Sequence, residues 1–473
     1  MEKISQKYSF LLVVLIITAL NSCVEDKYTT DSSHVLDFST TTLSLDTAFN
    51  SSATWRLVVY NRNSKALNIS SIRLLGGASS CFRMNVDGRH PDADNSIHNV
   101  SISSRDSIFI LVEGDASEVF WAMDSIEFVT NGVTQYVALS LVSVDAVRLD
   151  NYQLLRDEIF DSEKPYLVNG YVYVPEGREL TINPGVRIYM RPGANIIVDG
   201  EITVDGSAEK PVFVSGCRFD DVREGETRIP YMNLPGQWGG IYLQNAHSSN
   251  RISYANIHGA GIGIILFGAY RSTPSLLLEH SILHCFDTYG VYAQMADVTI
   301  RDCEISNCGA SCYLAVGGST LIQQSTLADY YTFAARKTPA FRLLGYVEQY
   351  GKRTVYNIER CVIENSIIYG NVSEEFELLH DSALTQFTNI HIANSLIRTK
   401  EQRSWFHDCI IGDGSTDVFC RTKAEYSADS VSYFDFHLSE KSAARGIANP
   451  AVSSLYPFTL DLQERDLMNA GAY

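Results

Sequence analysis

The chain has 473 residues, with 37 Lys and Arg against 55 Asp and Glu, a formal charge of −18. Binders of nucleic acid or anionic membrane collect cations to neutralise phosphate, so this balance disfavours both partner classes. With 45% hydrophobic residues, 26 Tyr and 21 Phe, the chain can bury large cores and is not a disordered polymer.

Lys3 and Lys7 precede an uncharged apolar run from Tyr8 to Leu20. Thirteen residues are too few to cross a bilayer as a helix, which takes about 20, and the basic flank fits an export signal over residues 1–22. The segment Leu20-Asn21-Ser22-Cys23 resembles the lipobox of bacterial lipoproteins, which implies that Cys23 becomes the first residue and carries the acyl chains that anchor the protein in the outer membrane. A plain secretory signal is the alternative. Glu25 and Asp26 look like the surface-export signal of Bacteroidetes lipoproteins, which implies exposure at the cell surface, with the periplasmic leaflet as the alternative. Residues 23–34 read as a solvated tether.

From 35 to 148, short alternating runs such as Trp55–Tyr60, Ser107–Val112, Ser125–Val129 and Tyr136–Leu141 are separated by Asn, Gly and Ser clusters. About seven strands in this length predict an immunoglobulin-like β-sandwich, without the Cys…Trp…Cys spacing of a true immunoglobulin domain. It is expected to act as a spacer.

From 152 to 435 the strands are closely spaced and punctuated by Pro184-Gly185, Pro192-Gly193, Asp199-Gly200 and Asp205-Gly206. A six-residue frame recurs: apolar, two polar, small, any, apolar. It is read at Ile252–Ile257, Leu277–Ile282, Ile300–Ile305, Ile322–Leu327, Ile358–Ile363, Ile392–Ile397 and Phe406–Ile411, and its first steps are 25, 23 and 22 residues. Strand chemistry at that period predicts a parallel β-solenoid, whose coils stack at about 4.8 Å. The small fourth position, read as Ala255, His280, Cys303, Ser325, Cys361, Ser395 and Cys409, would permit close stacking at a corner.

The segments KPYLVNGYVYV, LTINPGVRIYMRPGANIIVDGEITVDG, KPVFVSGCRF and PGQWGGIYL between Lys164 and Gly263 resemble the right-handed parallel β-helix lipoproteins of Bacteroidetes. Residues 436–473, with Phe436-His437-Leu438 and Ala470-Gly471-Ala472-Tyr473, are similar to the C-terminal module of related proteins and are expected to close the solenoid. The resemblance implies fold and location but no common activity.

Some parallel β-helices cleave acidic polysaccharides, using clustered carboxylates for Ca²⁺ or for acid and base work. Paired acids such as Asp220-Asp221 and Glu374-Glu375 lie in expected loops, without a matching base one coil away. Arg301-Asp302 and Arg421-Thr422-Lys423 read as solvated charges. A lyase or hydrolase therefore stays an alternative, with no catalytic residue and no cofactor assigned. His280 and Cys303 with Cys285 and Cys308 would offer a zinc quartet only if their columns converge; a Cys285–Cys308 disulfide is a further alternative, and buried thiols are the default for the nine cysteines after Cys23.

Aromatic rings are the better candidates for a ligand surface: Trp238 after the Pro235-Gly236 turn, with Tyr231 and Tyr242 near it, and the insertion 330–356 with Tyr330, Tyr331, Phe333, Phe341, Tyr346 and Tyr350 beside Arg336 and Lys337. The expected function is a non-catalytic surface protein that binds polysaccharide or a host or bacterial surface partner, and not nucleic acid. A structural spacer in a surface assembly is the third reading.

Overall fold

The computed structural model describes residues 28–49, 53–115, 121–219, 221–224, 227–245, 247–268, 274–380, 389–412, 414, 417–426 and 431–473. The signal segment and Cys23 lie outside this set. Two compact units divide between Val144 and Asp145.

The first unit holds two sheets. Asp37–Phe38, Ala53–Tyr60, Ser107–Gly114 and Phe82–Val86 form one, and Thr42–Phe49, Val133–Val144, Trp121–Thr130, Leu67–Leu74 and Ser96–Ile102 form the other. All neighbours are antiparallel except Thr42–Phe49, which runs parallel to Val133–Val144. Alternation places Leu57, Val59, Ile110 and Val112 of one sheet and Ile69, Ile72, Phe128 and Leu139 of the other in a single core, because successive side chains of a strand point to opposite faces.

The second unit is a stack of parallel coils, as the strand-only texture and the repeat predict. A coil contributes three strands, for example Leu276–Glu279, Ile282–Phe286 and Tyr289–Gln294. First strands join a 10-stranded sheet, and second and third strands join an 18-stranded one. Two inward columns fix the register. Ile252, Leu278, Ile300, Ile322, Ile363, Ile392 and Phe406 form the first. Ile257, Leu283, Ile305, Leu327, Ile368, Ile397 and Ile411 form the second.

These columns rephase two of the seven frames. The second runs from Leu278 to Leu283, because Leu276, Leu277 and Leu278 all satisfy an apolar first position. The fifth runs from Ile363 to Ile368, because Ile358, Cys361 and Ile363 satisfy the frame as well as Ile363, Ser366 and Ile368 do, and pairing with Ile322 and Leu327 selects the later set. The small column is therefore Ala255, Ser281, Cys303, Ser325, Ser366, Ser395 and Cys409, and neither His280 nor Cys361 belongs to it.

At this corner the third residue of every frame turns left-handed: Tyr254, His280, Asp302, Gln324, Asn365, Asn394 and Asp408 all have φ of 48–50°. The turn leaves an N–H that the next coil supplies with an acceptor. Ser281 Oγ accepts from Ala255 N at 3.0 Å, Ser325 Oγ from Cys303 N at 3.2 Å, Ser366 Oγ from Ser325 N at 3.2 Å and Ser395 Oγ from Ser366 N at 3.0 Å. Each hydroxyl then donates to the carbonyl two residues before it. Cys303 and Cys409 donate in the same way through sulfur. The column is a hydrogen-bonded ladder as well as a place for small side chains.

The insertion 330–356 is not one loop. Phe341–Leu344 is the third strand of its coil, and Phe341 stacks between Tyr313 and Phe376 at centroid distances of 5.5 and 5.0 Å. Only 330–340 and the hairpin of Tyr346–Gln349 with Lys352–Val355 stand apart from it. Residues 436–473 run along the flank of the stack. Ile447 O accepts from Asn394, Asn449 O from Asn365, and Asn469 O and Gly471 O from Gln324. Arg465 pairs with Asp302. The strap thus follows the left-handed corner across four coils, and its Phe436 and Leu438 cover Ile367, Tyr369 and Leu396.

Candidate functional site

Correct phasing makes the fifth frame position an outward column: Asn256, Ile282, Glu304 and Thr326. Two residues on, His258, His284 and Ser306 form a second outward column. Further along the stack this face is covered by the strap. Where the covering ends, a groove of about 410 Å³ opens. Asn256, Ile282, His284, Glu304 and Ser306 make its solenoid wall. Arg421, residues 433–437 and Tyr473 face them, and Tyr331, Thr332 and Phe333 form a lip.

Glu304 joins the two walls. Ser306 Oγ donates to Glu304 Oε1 at 2.5 Å and the Tyr473 hydroxyl to Glu304 Oε2 at 2.5 Å. Burial raises its pKa against these two hydrogen bonds, which favour the carboxylate. His284 lies stacked on His258 at 4.9 Å, and burial holds it neutral, with a pKa of about 3. His437 shows the reverse. Burial opposes its charge, but Asp435 Oδ1 at 2.8 Å and Asp461 Oδ2 at 3.1 Å prevail and raise its pKa. Arg421 sits across the strand pair from Asp435 and donates to Tyr433 O at 2.8 Å.

Three amide atoms in this lining have no hydrogen-bond partner: Asn233 Nδ2, Asn256 Oδ1 and Asn307 Oδ1. Asn307 is 6% exposed. Buried polar atoms are normally satisfied; these three are closed off from solvent behind the groove wall. Phe333 and Tyr433 are 41% and 49% exposed and offer ring faces beside them. Apolar walls with a few placed polar groups are the usual make-up of a small-molecule site.

The residues singled out from sequence are scattered. Trp238 is 2% exposed in the solenoid core, its Nε1 donating to His258 O at 2.9 Å, so its ring fills the stack and meets no ligand. Tyr231 lies under Arg218, 3.7 Å from the guanidinium to the ring centroid. Tyr242 is half-buried on the outer side of its strand, level with Ile265. Tyr330 packs on Phe419 and Phe436. Tyr346 is covered by Arg353 at 4.1 Å, and Tyr350 is 98% exposed at the hairpin tip. Of the rings singled out from sequence, Tyr331 and Phe333 line the groove.

Arg336 is no surface cation: it is buried against Glu375 at 2.5 Å and Asp329 at 3.4 Å. Burial, only partly offset by that guanidinium, lifts Asp329 to about 7. Glu374 accepts from Thr399 Oγ1 at 2.8 Å, and the Asp220-Asp221 side chains lie outside the described set. Asp302 is buried between His280 and Arg465 rather than solvated, and Arg421 belongs to the groove. None of the nine described cysteines is in a disulfide, and Cys285 donates to Asn233 O at 3.0 Å. Among the described residues no group of three or more His, Cys, Asp or Glu could hold a metal. The zinc quartet fails because His280 is turned to Asp302 at the left-handed corner while Cys303 sits in the ladder. Nor is any described helix long and apolar enough to cross a membrane.

These features define an all-β protein built on a parallel β-solenoid with a groove on its flank. No known family matches the sequence, and no curated protein matches it. Among solved structures, a family 123 glycoside hydrolase from Clostridium perfringens aligns at 10% identity and a TM-score of 0.18, over 25% of this chain and 30% of that one. A PapD-like domain of human CEP192 aligns at 12% identity and a TM-score of 0.18, over 27% of this chain and 97% of that domain. Similarities this slight carry no functional argument.

Proposed function

We propose that this chain is an outer-membrane or cell-surface lipoprotein, anchored through Cys23, that binds glycan without cleaving it. In this reading the solenoid is right-handed, and the first unit is an immunoglobulin-like sandwich that spaces the solenoid from the membrane. The observation that carries the binding role is the groove at Glu304, where the exposed rings of Phe333 and Tyr433 share a lining with amide, carboxyl and guanidinium side chains. Sugars ask for that combination: apolar C–H faces stack on aromatic rings while hydroxyls pair with amides and carboxyls. The charge of −18 supports a partner other than nucleic acid.

A second reading, hydrolysis, draws on Glu304 itself, a buried carboxyl with a raised pKa. Against it, both carboxyl oxygens are engaged, and Asp435 is held by His437.

Two measurements test the proposal. Cells expressing the wild type are expected to incorporate labelled palmitate into the protein, and the Cys23→Ala form to lose the label; equal labelling removes the anchor from the account. Glycan-array binding by the full chain is expected, with no new reducing ends on any glycan bound. Reducing ends that disappear in Glu304→Gln would replace binding with hydrolysis.

A further inference from the structure

We infer that a second cavity, at Arg398, binds an oxyanion: a sulfate, phosphate or carboxylate group. It is separate from the groove at Glu304 and stands independently of the glycan-binding reading. The outward column of His258, His284 and Ser306 continues through Ala328 and Tyr369. One coil further Arg398 holds the same position, because Ile368 pairs with Ile397. The strap packs over Ala328 and Tyr369. Beside that cover a cavity of about 420 Å³ opens, bordered by Tyr330, Tyr369, Arg398, Asp417, Thr422 and Ser439.

Other covered guanidinium groups of this unit meet carboxylates: Arg336 meets Glu375 and Asp329, Arg465 meets Asp302, and Arg342 meets Glu377. Arg398 is only partly exposed, yet no carboxylate pairs with it among the described residues. Its Nη1 donates to Gly370 O, its guanidinium lies 5.5 Å from the Tyr369 ring centroid, and its Nε is sealed in the wall. That leaves Nη2 for the cavity. Gly414, with a φ of 88°, gives this nitrogen its space, since a Cβ there would collide with it. Asp417 is the one acid in the described lining, and it is exposed and forms no ion pair with Arg398. A ring face offsets only part of a missing counter-charge, and a cation taken out of water is ordinarily met by an anion.

The rest of the lining suits such an anion. The Tyr330 and Thr422 hydroxyls make no hydrogen bond within the described residues and are not sealed from solvent. A guanidinium N–H with hydroxyl donors around it is the set that an oxyanion accepts from. An uncharged ligand would pair with the hydroxyls and leave the charge unmatched. The room lies within the range of small-molecule sites, so a sugar carrying the oxyanion fits as well as the free ion.

The full chain in detergent is titrated by calorimetry with sulfate, phosphate, glucuronate, glucose 6-sulfate and glucose, at an ionic strength held constant with chloride. At least one of the four anionic probes is expected to bind with a Kd of about 1 mM or tighter. Arg398→Gln should weaken that binding about tenfold or more, and Thr422→Val several-fold, through loss of a charge-assisted bond and of a hydroxyl donor. Cooperative urea unfolding in chloride confirms that each variant is folded, and Thr422→Val carries the test if Arg398→Gln is not. Tighter binding of the free ions or of the sugar-borne groups names the source, and either supports the site. Anion binding untouched by the substitutions, glucose binding that Arg398→Gln abolishes, or no binding of any anionic probe overturns the inference and leaves the groove's role as it was.

Discussion

Ser325→Ala tests whether the corner ladder carries stability or only accommodates small side chains. Ser325 Oγ takes the Cys303 N–H at 3.2 Å and gives its proton to Gln323 O at 2.8 Å. Cys303 and Ser325 are both fully buried, so no water replaces the lost acceptor. An N–H left unpaired in such a place costs about 1–3 kcal/mol, and the lost donation to Gln323 about 1 more, so Ser325→Ala should destabilise the solenoid by about 2–4 kcal/mol. Ser325→Cys provides the control. Cysteine occupies this column at 303 and 409, and Cys303 Sγ donates to Arg301 O at 3.1 Å, so a thiol should keep part of the pairing and lose less than about 1.5 kcal/mol. Equilibrium urea unfolding reads the difference. Replacing Trp55 and Trp121 by Phe leaves Trp238 and Trp405, both in the solenoid unit, as reporters. With a slope of at least about 3 kcal/mol/M, the alanine midpoint should fall by up to about 1 M. Equal midpoints for the alanine and cysteine variants would show that side-chain volume is the whole content of the column and refute the ladder.

Three further outcomes are expected. Arg336→Ala leaves Glu375 and Asp329 buried without their cation and should destabilise by about 3–5 kcal/mol, with Arg336→Met/Glu375→Gln recovering much of the loss in the same urea assay; a milder single than double variant contradicts this. Phe341→Ala should cost about 3–5 kcal/mol as a core truncation while Tyr350→Ala at the exposed hairpin tip stays within about 0.5; comparable losses would return 330–356 to a single surface loop. His258 and His284 have folded pKa values near 4 and 3, below the ordinary value of about 6.5. The unfolded chain then binds protons that the folded chain refuses, so their contribution to stability is full above pH 6.5 and shrinks as pH falls toward 4. Relative to a His258→Gln/His284→Gln variant, the wild type should lose stability over that window, and a difference that does not change with pH excludes the effect.

The repeat was legible because burial on one face imposes period and residue type together: Ile300, Ile305, Ile322 and Leu327 announce two coils without any tertiary knowledge. Phase was harder. Three consecutive leucines at 276–278, and a second match to the frame at Ile358–Ile363 five residues before the one that pairs, each allow the pattern to slide. In a strand, such a shift exchanges inside for outside. That is why His280 was placed in the small column, when it is a left-handed corner residue bonded to Asp302. The groove escapes notice for a different reason: the Ile300–Ile305 frame is in phase, but Glu304 occupies the position that the frame leaves unconstrained. Once the frame is phased, the column Asn256, Ile282, Glu304, Thr326, Ile367, Leu396 and Ile410 can be written from the sequence. Its turn to apolar residues after Thr326 foretells a cover. What no local pattern gives is the cover itself: Arg465 meets Asp302 across 163 positions of chain. Trp238 misled for a simpler reason, because a ring after a Pro-Gly turn fills a core or faces a ligand equally well by sequence alone.

The strap along the left-handed corner changes the kind of object the solenoid is. Coils that touch only their neighbours melt inward from an end, each loss exposing the next, so an unsupported stack has as many unfolding steps as it has turns. Here Asn394, Asn365, Gln324 and Asp302 are each held by one continuous segment, and no one of these coils can leave without lifting the segment from the other three. Pulled by its two ends, such a protein should extend in one large step over this region rather than in a staircase. The residues that enforce this follow in sequence every coil they hold, so the stack acquires its unity only when residues 447–471 dock.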